Sequence, residues 1–294
     1  MFYRRKIILG LIELLGGEVE KLRFQKLLFL YAMKKQHPEY DFIPYKFGCY
    51  SYSAKADMNT MVKKGYLSET ENTYGKSDTS NYFSKLKIED AKLLQDVVSD
   101  YGQMSSNALI KHTYLNFPFY AIRSTIAKDV LPGKLYDRVE NAMPKDEETT
   151  LFTIGYEGIS LEIYLQKLVK NNVKLLVDVR KNPLSMKFGF SKTLLKRYCN
   201  SLGVEYMHIP EVGINSDKRQ QLEEQADYDR LFEEYRNTTL CETRESQQHI
   251  LELLRRHRRI ALTCFEAEPC QCHRSHLATA IEHSPGFIYQ VKHL

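Results

Sequence analysis

Three stretches of this chain carry residue types able to do chemistry. The densest is Leu262-Thr263-Cys264-Phe265-Glu266-Ala267-Glu268-Pro269-Cys270-Gln271-Cys272-His273-Arg274-Ser275-His276. Its three thiols, two carboxylates, two histidines and one arginine follow an apolar run, Ile260 to Thr263, that predicts a buried strand. Helical spacing returns through Leu277, Ala280 and Ile281. The second stretch is Gly155-Tyr156-Glu157-Gly158, and the third is Asp178-Val179-Arg180 followed by Pro183 and Ser185. A loop that leaves the carboxyl end of a strand and enters a helix presents N–H groups that favour negative charge. Ligand sites of α/β proteins collect there for that reason.

Four chemistries suit these residues. Breaking an N-glycosidic bond passes through an oxocarbenium-like sugar, which one carboxylate stabilises while another group activates water or protonates the leaving base. Asp178, Glu157 and Glu266 are the candidates for those roles, and Tyr156 for stacking on a base. Arg180, Ser185, Lys187, His208, His273 and Arg274 are the candidates for holding substrate or phosphate. The plainer reading of Asp178 and Arg180 is a salt bridge organising the sheet edge. Thiol chemistry would use Cys264 or Cys272 as nucleophile, favoured by a helix N-terminus and by His273 or Arg274. A strand ending in cysteine and then Arg-Ser resembles a rhodanese-like sulfurtransferase, but Glu266 and Glu268 oppose a thiolate and the loop is long for a thiolate cradle. Metal binding would draw on Cys264, Cys270, Cys272 and His273, with His276 or His208 in reserve. These are soft or borderline ligands that would suit zinc, but buried or redox-idle thiols are the plainer reading and no cofactor is expected. Adjacent Cys272 and His273 predict a strained geometry around one ion. Last, Arg255-Arg256-His257-Arg258-Arg259 suits a helix C-terminus or the phosphates of a nucleic acid bound without catalysis. Lys181, Lys187, Lys192, Lys196 and Arg197 add charge beyond Asp178, so DNA or a nucleotide is the expected partner and base removal leads the four readings.

The elements that must position these residues alternate between strand and helix. Leu151 to Gly155 predicts a strand, Ser160 caps a helix to about Asn171, and Val173 to Val179 predicts a second continuous apolar strand. Leu194 to Leu202 is helical, Val204 to Ile209 strand-like, and Tyr228 to Asn237 and Gln247 to Arg256 helical before the strand at Ile260. This pattern gives α/β architecture, a Rossmann-like parallel sheet over residues 150–294. In a parallel sheet the carboxyl ends share one edge, so the three stretches are expected to converge.

Residues 1–140 read as a mostly helical, winged-helix-like domain that binds nucleic acid or a protein partner. Lys6 to Leu15 and the segment from Val19 to Tyr31 are helical, with the basic residues of the second spread around a solvated face. His37 to Ser53 reads as an extended connector, and Ser53 as the cap of a third helix to about Lys64. A wing follows from Gly65-Tyr66-Leu67 to near Tyr82-Phe83. Helices at Ile88 to Asp100 and Met104 to Tyr114 come next, and residues 139–150 form the domain boundary.

Four motifs in order carry a resemblance. They are Thr153-Ile154-Gly155-Tyr156-Glu157-Gly158; Asp178-Val179-Arg180 with Pro183 and Ser185; His208-Ile209-Pro210 with Gly213; and Cys264-Phe265-Glu266 with Cys272-His273-Arg274. Over roughly residues 150–283 the chain resembles the domain of unknown function 488 family, with Val212-Gly213 in place of a leucine-glycine pair. The resemblance implies a Rossmann-like domain with polar residues gathered at one sheet end, and implies no reaction. In the N-terminal half, Lys21 to Leu30, Tyr45 to Ser51 and Lys64 to Leu67 resemble the Panacea-type domain of SocA-like antitoxins. That resemblance implies an interaction module and a setting in stress or phage defence.

Composition bounds these readings. The chain of 294 residues is long enough for two domains, and 43% hydrophobic with 27% charged residues is ordinary for globular protein. No apolar run reaches the roughly 18 residues that span a bilayer. Ile7 to Leu15 is broken by Gly10 and Glu13 and lacks a small-residue cleavage site, so no membrane partner and a cytoplasmic location are expected. Six cysteines, three of them within nine residues, read as free thiols or ligands and not as a disulfide framework. The net charge of +5 permits a polyanionic partner, and 20 tyrosines offer surfaces for stacking on bases.

Overall fold

Helical spacing near the N-terminus resolves into α1 (Tyr3–Leu14) and α2 (Lys21–Met33), joined through β1 (Glu18–Glu20). Gly16 and Gly17 both take positive φ, 87° and 90°, which lets the chain reverse between them. The computed structural model describes residues 1–215 and 224–294, in two compact units, Met1–Met143 and Pro144–Leu294.

In the first unit the expected connector is a hairpin, β2 (Ile43–Tyr45) with β3 (Gly48–Tyr50). α3 (Tyr52–Lys63) is capped by Ser51, whose side chain accepts from Ala54 N–H at 3.2 Å, and not by Ser53. β4 (Leu67–Glu69) and β5 (Thr73–Lys76) complete an antiparallel sheet of order β1-β5-β4. Tyr82-Phe83 is not its second wing strand. Both backbone N–H groups donate to the Glu13 carboxylate, at 2.8 and 2.7 Å, and a 3-10 turn follows at Phe83–Lys85. α4 (Ile88–Tyr101), α5 (Ser106–Asn116) and the short α6 (Ala127–Val130) and α7 (Asp137–Ala142) finish a mostly helical unit with small antiparallel sheets. Its core gathers Ile8, Leu28, Phe29 and Leu94. Lys26, expected on a solvated face, is 1% exposed and donates to the Phe47 and Cys49 carbonyls, so the second helix is anchored to the hairpin.

The second unit is built on a five-stranded parallel sheet. Its elements are β6 (Thr150–Gly155), α8 (Leu161–Lys170), β7 (Leu175–Asp178), α9 (Lys192–Ser201), β8 (Glu205–His208), α10 (Gln225–Asn237), α11 (Thr239–Glu242), α12 (Arg244–His257), β9 (Arg259–Cys264), α13 (His273–Glu282) and β10 (Gln290–His293). Ser160 caps α8 as expected, accepting from Ile163 N–H at 3.1 Å. β6, β7 and β9 are buried at every position, the continuous apolar pattern of parallel strands covered on both faces. β10 is an edge strand with three exposed positions of four, so no apolar run announces it in the sequence.

Strand order is β10-β6-β9-β7-β8. β6 and β7, which follow one another in the chain, are therefore not neighbours: β9 lies between them and pairs in parallel with both. This insertion puts the cysteine-bearing loop after β9 at the middle of the carboxyl edge. Leu151, Val177, Ile260 and Leu262 share one core with Leu251 and Leu254 of α12 and Leu277 and Ile281 of α13. On the other face Tyr164 of α8 donates its hydroxyl to Thr263 at 2.8 Å.

The basic run at the end of α12 lies at the opposite, amino edge. Arg258 takes φ 65° as the helix ends. Arg259 is 2% exposed, donates to the Asn171 and Glu148 carbonyls at 2.9 and 2.6 Å, and pairs with Asp146 at 3.0 Å. These residues fasten the start of the unit to the sheet, away from the chemistry-bearing loops. Among the described residues no helix is long and apolar enough to cross a membrane.

Leu262 sits fully buried in the central strand. Leu262→Ala is expected to destabilise the C-terminal unit by about 2–5 kcal/mol through lost burial and a residual cavity, read from its urea unfolding transition.

Candidate functional site

Three loops meet at the carboxyl edge of the sheet because backbone docks on backbone. The N–H groups of Tyr156 and Glu157 both donate to the Phe265 carbonyl, at 3.0 and 2.9 Å, and Ala267 N–H donates to the Glu157 carboxylate at 3.0 Å. Gly155 is required there, since a Cβ on it would stand 1.8 Å from the Glu266 carbonyl oxygen. Gly213 plays the same part beyond β8, where a Cβ would lie 2.4 Å from Lys181 N. The result is a cleft of about 540 Å³ whose walls include Glu157, Lys181, Ser185, Cys264, Glu266 and His273.

Strand alternation divides the candidates between two faces of the sheet. Asp178 is paired with Thr263, so their side chains share the face of α8, whereas Cys264 is one residue further along β9 and points to the face of α13. Asp178 is 0% exposed and does not line the cleft. Its carboxylate accepts from Arg180 Nε and Nη2 at 2.8 and 2.5 Å and from Tyr206 Oη at 2.6 Å. Arg180 Nη1 donates to Tyr156 Oη at 2.8 Å and to the Phe190 carbonyl at 2.9 Å. Four of the five N–H groups of a guanidinium are thus engaged within the protein. Burial opposes the charge on Arg180, but the hydrogen bonds and field of Asp178 outweigh it and raise its pKa. The expected salt bridge is the geometry found, and it leaves Asp178 without access to a substrate in the cleft.

Tyr156 is 2% exposed and its ring already stacks on Phe190, 4.2 Å between centroids and 10° from parallel. The edge contact with Phe265 at 5.3 Å covers it further, so stacking on a base is not open to it. His208 has both nitrogens occupied: Nε2 donates to the Arg180 carbonyl at 2.9 Å and Nδ1 accepts from Lys192 Nζ at 2.9 Å. Arg274 is 1% exposed and holds the loop after β9 through the Glu266 and Ala267 carbonyls, at 2.5 and 2.9 Å, which removes it as a phosphate ligand. Lys187 is half-buried and donates to the Tyr156 carbonyl at 2.6 Å, its pKa pulled down by burial against the field of Glu157.

The thiols separate in the same way. Cys270 is exposed, while Cys264 and Cys272 are buried with His273 in a tight cluster whose ligand atoms lie within 4.8 Å of one another. Cys264 Sγ is 3.2 Å from Glu266 Oε2 and 3.5 Å from His273 Nδ1. Burial pushes the Cys272 thiol well up, with Cys264 and Glu266 reinforcing it, which opposes a nucleophilic thiolate.

Residues 160–281 match the family described as Domain of unknown function DUF488. That segment is a DUF488 domain. No family matches the N-terminal region, and no curated protein matches the chain. The match starts after the Gly155–Gly158 turn, so the sheet of this unit extends past the DUF488 segment at both ends, with β6 before it and β10 after it.

Within the DUF488 domain the sequence also held residues that spacing did not single out. Leu184 and Met186 are 85% and 105% exposed and form an apolar lip on the cleft, with Phe265 beside them. Their signal was a set of large apolar residues inside a Pro- and Gly-bounded loop, where a core strand or helix is excluded. A second cavity of about 620 Å³, lined by Arg236, Arg244, Gln247 and His276, lies apart from the sheet-end glutamates.

Gly155→Ala is expected to cost about 1–3 kcal/mol, because the Phe265–Ala267 backbone must move to admit the methyl group. Thermal unfolding should fall by several degrees, and limited proteolysis should cut faster near Phe265.

Proposed function

We propose that the C-terminal unit hydrolyses an N-glycosidic bond in DNA or a nucleotide, with Glu266 and Glu157 as the working carboxylates. The observation that carries this reading is the pair of glutamates, fixed at one cleft by the docking of Gly155–Glu157 on Phe265–Ala267. Around them the exposed Leu184, Met186 and Phe265 offer an apolar surface suited to a nucleobase, and Lys181 offers a cation suited to phosphate. In the reaction the bond from C1′ to the base nitrogen breaks and its electron pair leaves with the base, which takes up a proton. The oxygen of water bonds to C1′ and passes a proton to a carboxylate.

Asp178 enters this reading as a positioning residue, since it holds Arg180, and through Arg180 the Tyr156 hydroxyl and the Phe190 carbonyl. Sulfur transfer is less favoured because both candidate thiols are buried and Glu266 faces Cys264. For the N-terminal unit, the order of helices and small antiparallel strands supports a part in holding DNA or a protein partner.

The test is incubation of the full chain with unmodified and modified DNA and with free nucleotides, followed by mass spectrometry for released bases. Release is expected from the wild type, reduced at least about 100-fold in Glu266→Gln and unchanged in Cys270→Ser. Asp178→Asn is expected to lose about 3–5 kcal/mol of stability by leaving Arg180 buried without its partner, so its activity loss should accompany a lower unfolding midpoint. No release from any of these substrates rejects the reading.

A further inference from the structure

The buried cluster at the edge of the cleft has the geometry of a metal site. Cys264 Sγ and Cys272 Sγ lie 3.5 and 4.0 Å from His273 Nδ1. A tetrahedral zinc with sulfur at about 2.3 Å and nitrogen at about 2.0–2.1 Å requires sulfur–nitrogen edges of about 3.6 Å, so both of these edges are within about half an ångström of place, and all three ligand atoms lie within 4.8 Å of one another. His273 Nε2 is 3.1 Å from the Val179 carbonyl oxygen. A carbonyl only accepts, so Nε2 carries the proton and Nδ1 turns a lone pair toward the two sulfurs. A backbone carbonyl holding the far nitrogen in this way is the usual support of a metal-bound histidine.

The adjacency of Cys272 and His273, which predicted strain, is resolved by a change of backbone at that point. Cys272 is extended, φ −135° and ψ 135°, and His273 is the first residue of α13, so the two side chains turn toward one point. The N-terminus of that helix also favours the negative charge of thiolates.

We propose that Cys264, Cys272 and His273 bind Zn²⁺ through two thiolates and a neutral imidazole. Two thiolates with a histidine are a soft and borderline donor set that selects this ion. On binding, each sulfur exchanges its proton for the metal, and two protons pass to solvent. The two thiolate charges balance the ion, so the buried cluster is neutral before and after. Three protein ligands leave a fourth position for water, and two of the ligands, Cys264 and His273, are among the residues lining the cleft. Three ligands and an open place are the form of zinc sites that activate water. Glu266 Oε2 accepts from the Cys264 thiol at 3.2 Å; that bond is given up when the sulfur loses its proton to solvent and binds the ion, and the carboxylate then takes a proton from such a water. This last step rests on the hydrolytic reading given above; the binding of zinc does not.

The experiment uses the full chain, purified under reducing conditions without chelator and dialysed. Elemental analysis should find about one zinc per chain. Cys264→Ser and Cys272→Ser should each lose most of it while keeping the wild-type circular dichroism, and Cys270→Ser should keep it all. Replacing zinc by Co²⁺ should give a thiolate-to-metal charge-transfer band and the strong visible bands of tetrahedral cobalt, both lost in Cys272→Ser. Where a serine variant does not fold, the cobalt spectrum of the wild type decides. No metal taken up by reduced wild type from added Zn²⁺, a cobalt spectrum without thiolate bands, or full zinc in folded Cys272→Ser would each overturn the proposal. Zinc bound with no base released leaves the metal site standing and removes the glycosidic reading.

Discussion

The buried ion pair of Asp178 and Arg180 is the interaction on which the carboxyl edge of the sheet depends. Two charges taken out of water are costly unless their remaining hydrogen-bonding groups are met, and here they are. Tyr206 from β8 completes Asp178, while Tyr156 after β6 and the Phe190 carbonyl complete Arg180. One carboxylate thereby joins the ends of β6, β7 and β8 and the segment running into α9. The parallel stack of Tyr156 on Phe190 closes the same layer from above. Loss of either charge would leave the other buried and unpaired, and the loops would lose their common anchor.

A second constraint acts on the opposite face. The loop after β9 is held by Arg274 through two carbonyls, by the turn at Gly155 through the Phe265 carbonyl, and by His273 through the Val179 carbonyl. Two buried arginines thus serve the backbone of the site, one on each side of the sheet. What remains accessible in the cleft includes the two glutamates, Lys181, the polar Asn182, Ser185 and Gln271, and an apolar lip. This division accounts for the many polar residues near the sheet ends whose side chains never reach the cleft.

The central place of β9 gives the cysteine loop its neighbours. Had β6 and β7 been adjacent, as their succession in the chain suggests, the loop after the last strand would stand at one side of the edge. Insertion of β9 between them lets Glu157 come from one side and Lys181 from the other onto a single cleft. It also brings the Val179 carbonyl to the imidazole of His273, fixing its tautomer.

Much of the fold was legible in the residues. Continuous apolar runs at Leu151, Val173 and Ile260, separated by helical spacing, specify buried parallel strands, and Ser160 marks a helix start, because these signals are local properties of the backbone and of side-chain burial. The glycines at 155 and 213 were visible as motif residues, and so were Glu266, Cys264, Cys272 and His273. The face each side chain takes was not legible, since it depends on register between strands far apart in the chain. Asp178 looked like a catalytic acid because carboxylates at strand ends often are; one residue of register pairs it with Thr263 and turns it away from Cys264. Tyr156, His208 and Arg274 carried the right chemistry, and only tertiary contacts consumed it, through partners 16 to 28 residues away or through the loop's own carbonyls. Edge strand β10 escaped notice because an exposed edge demands no apolar pattern. Composition and period thus determined which layers form, while pairing order and register decided which polar groups face the cleft and which are buried as its supports.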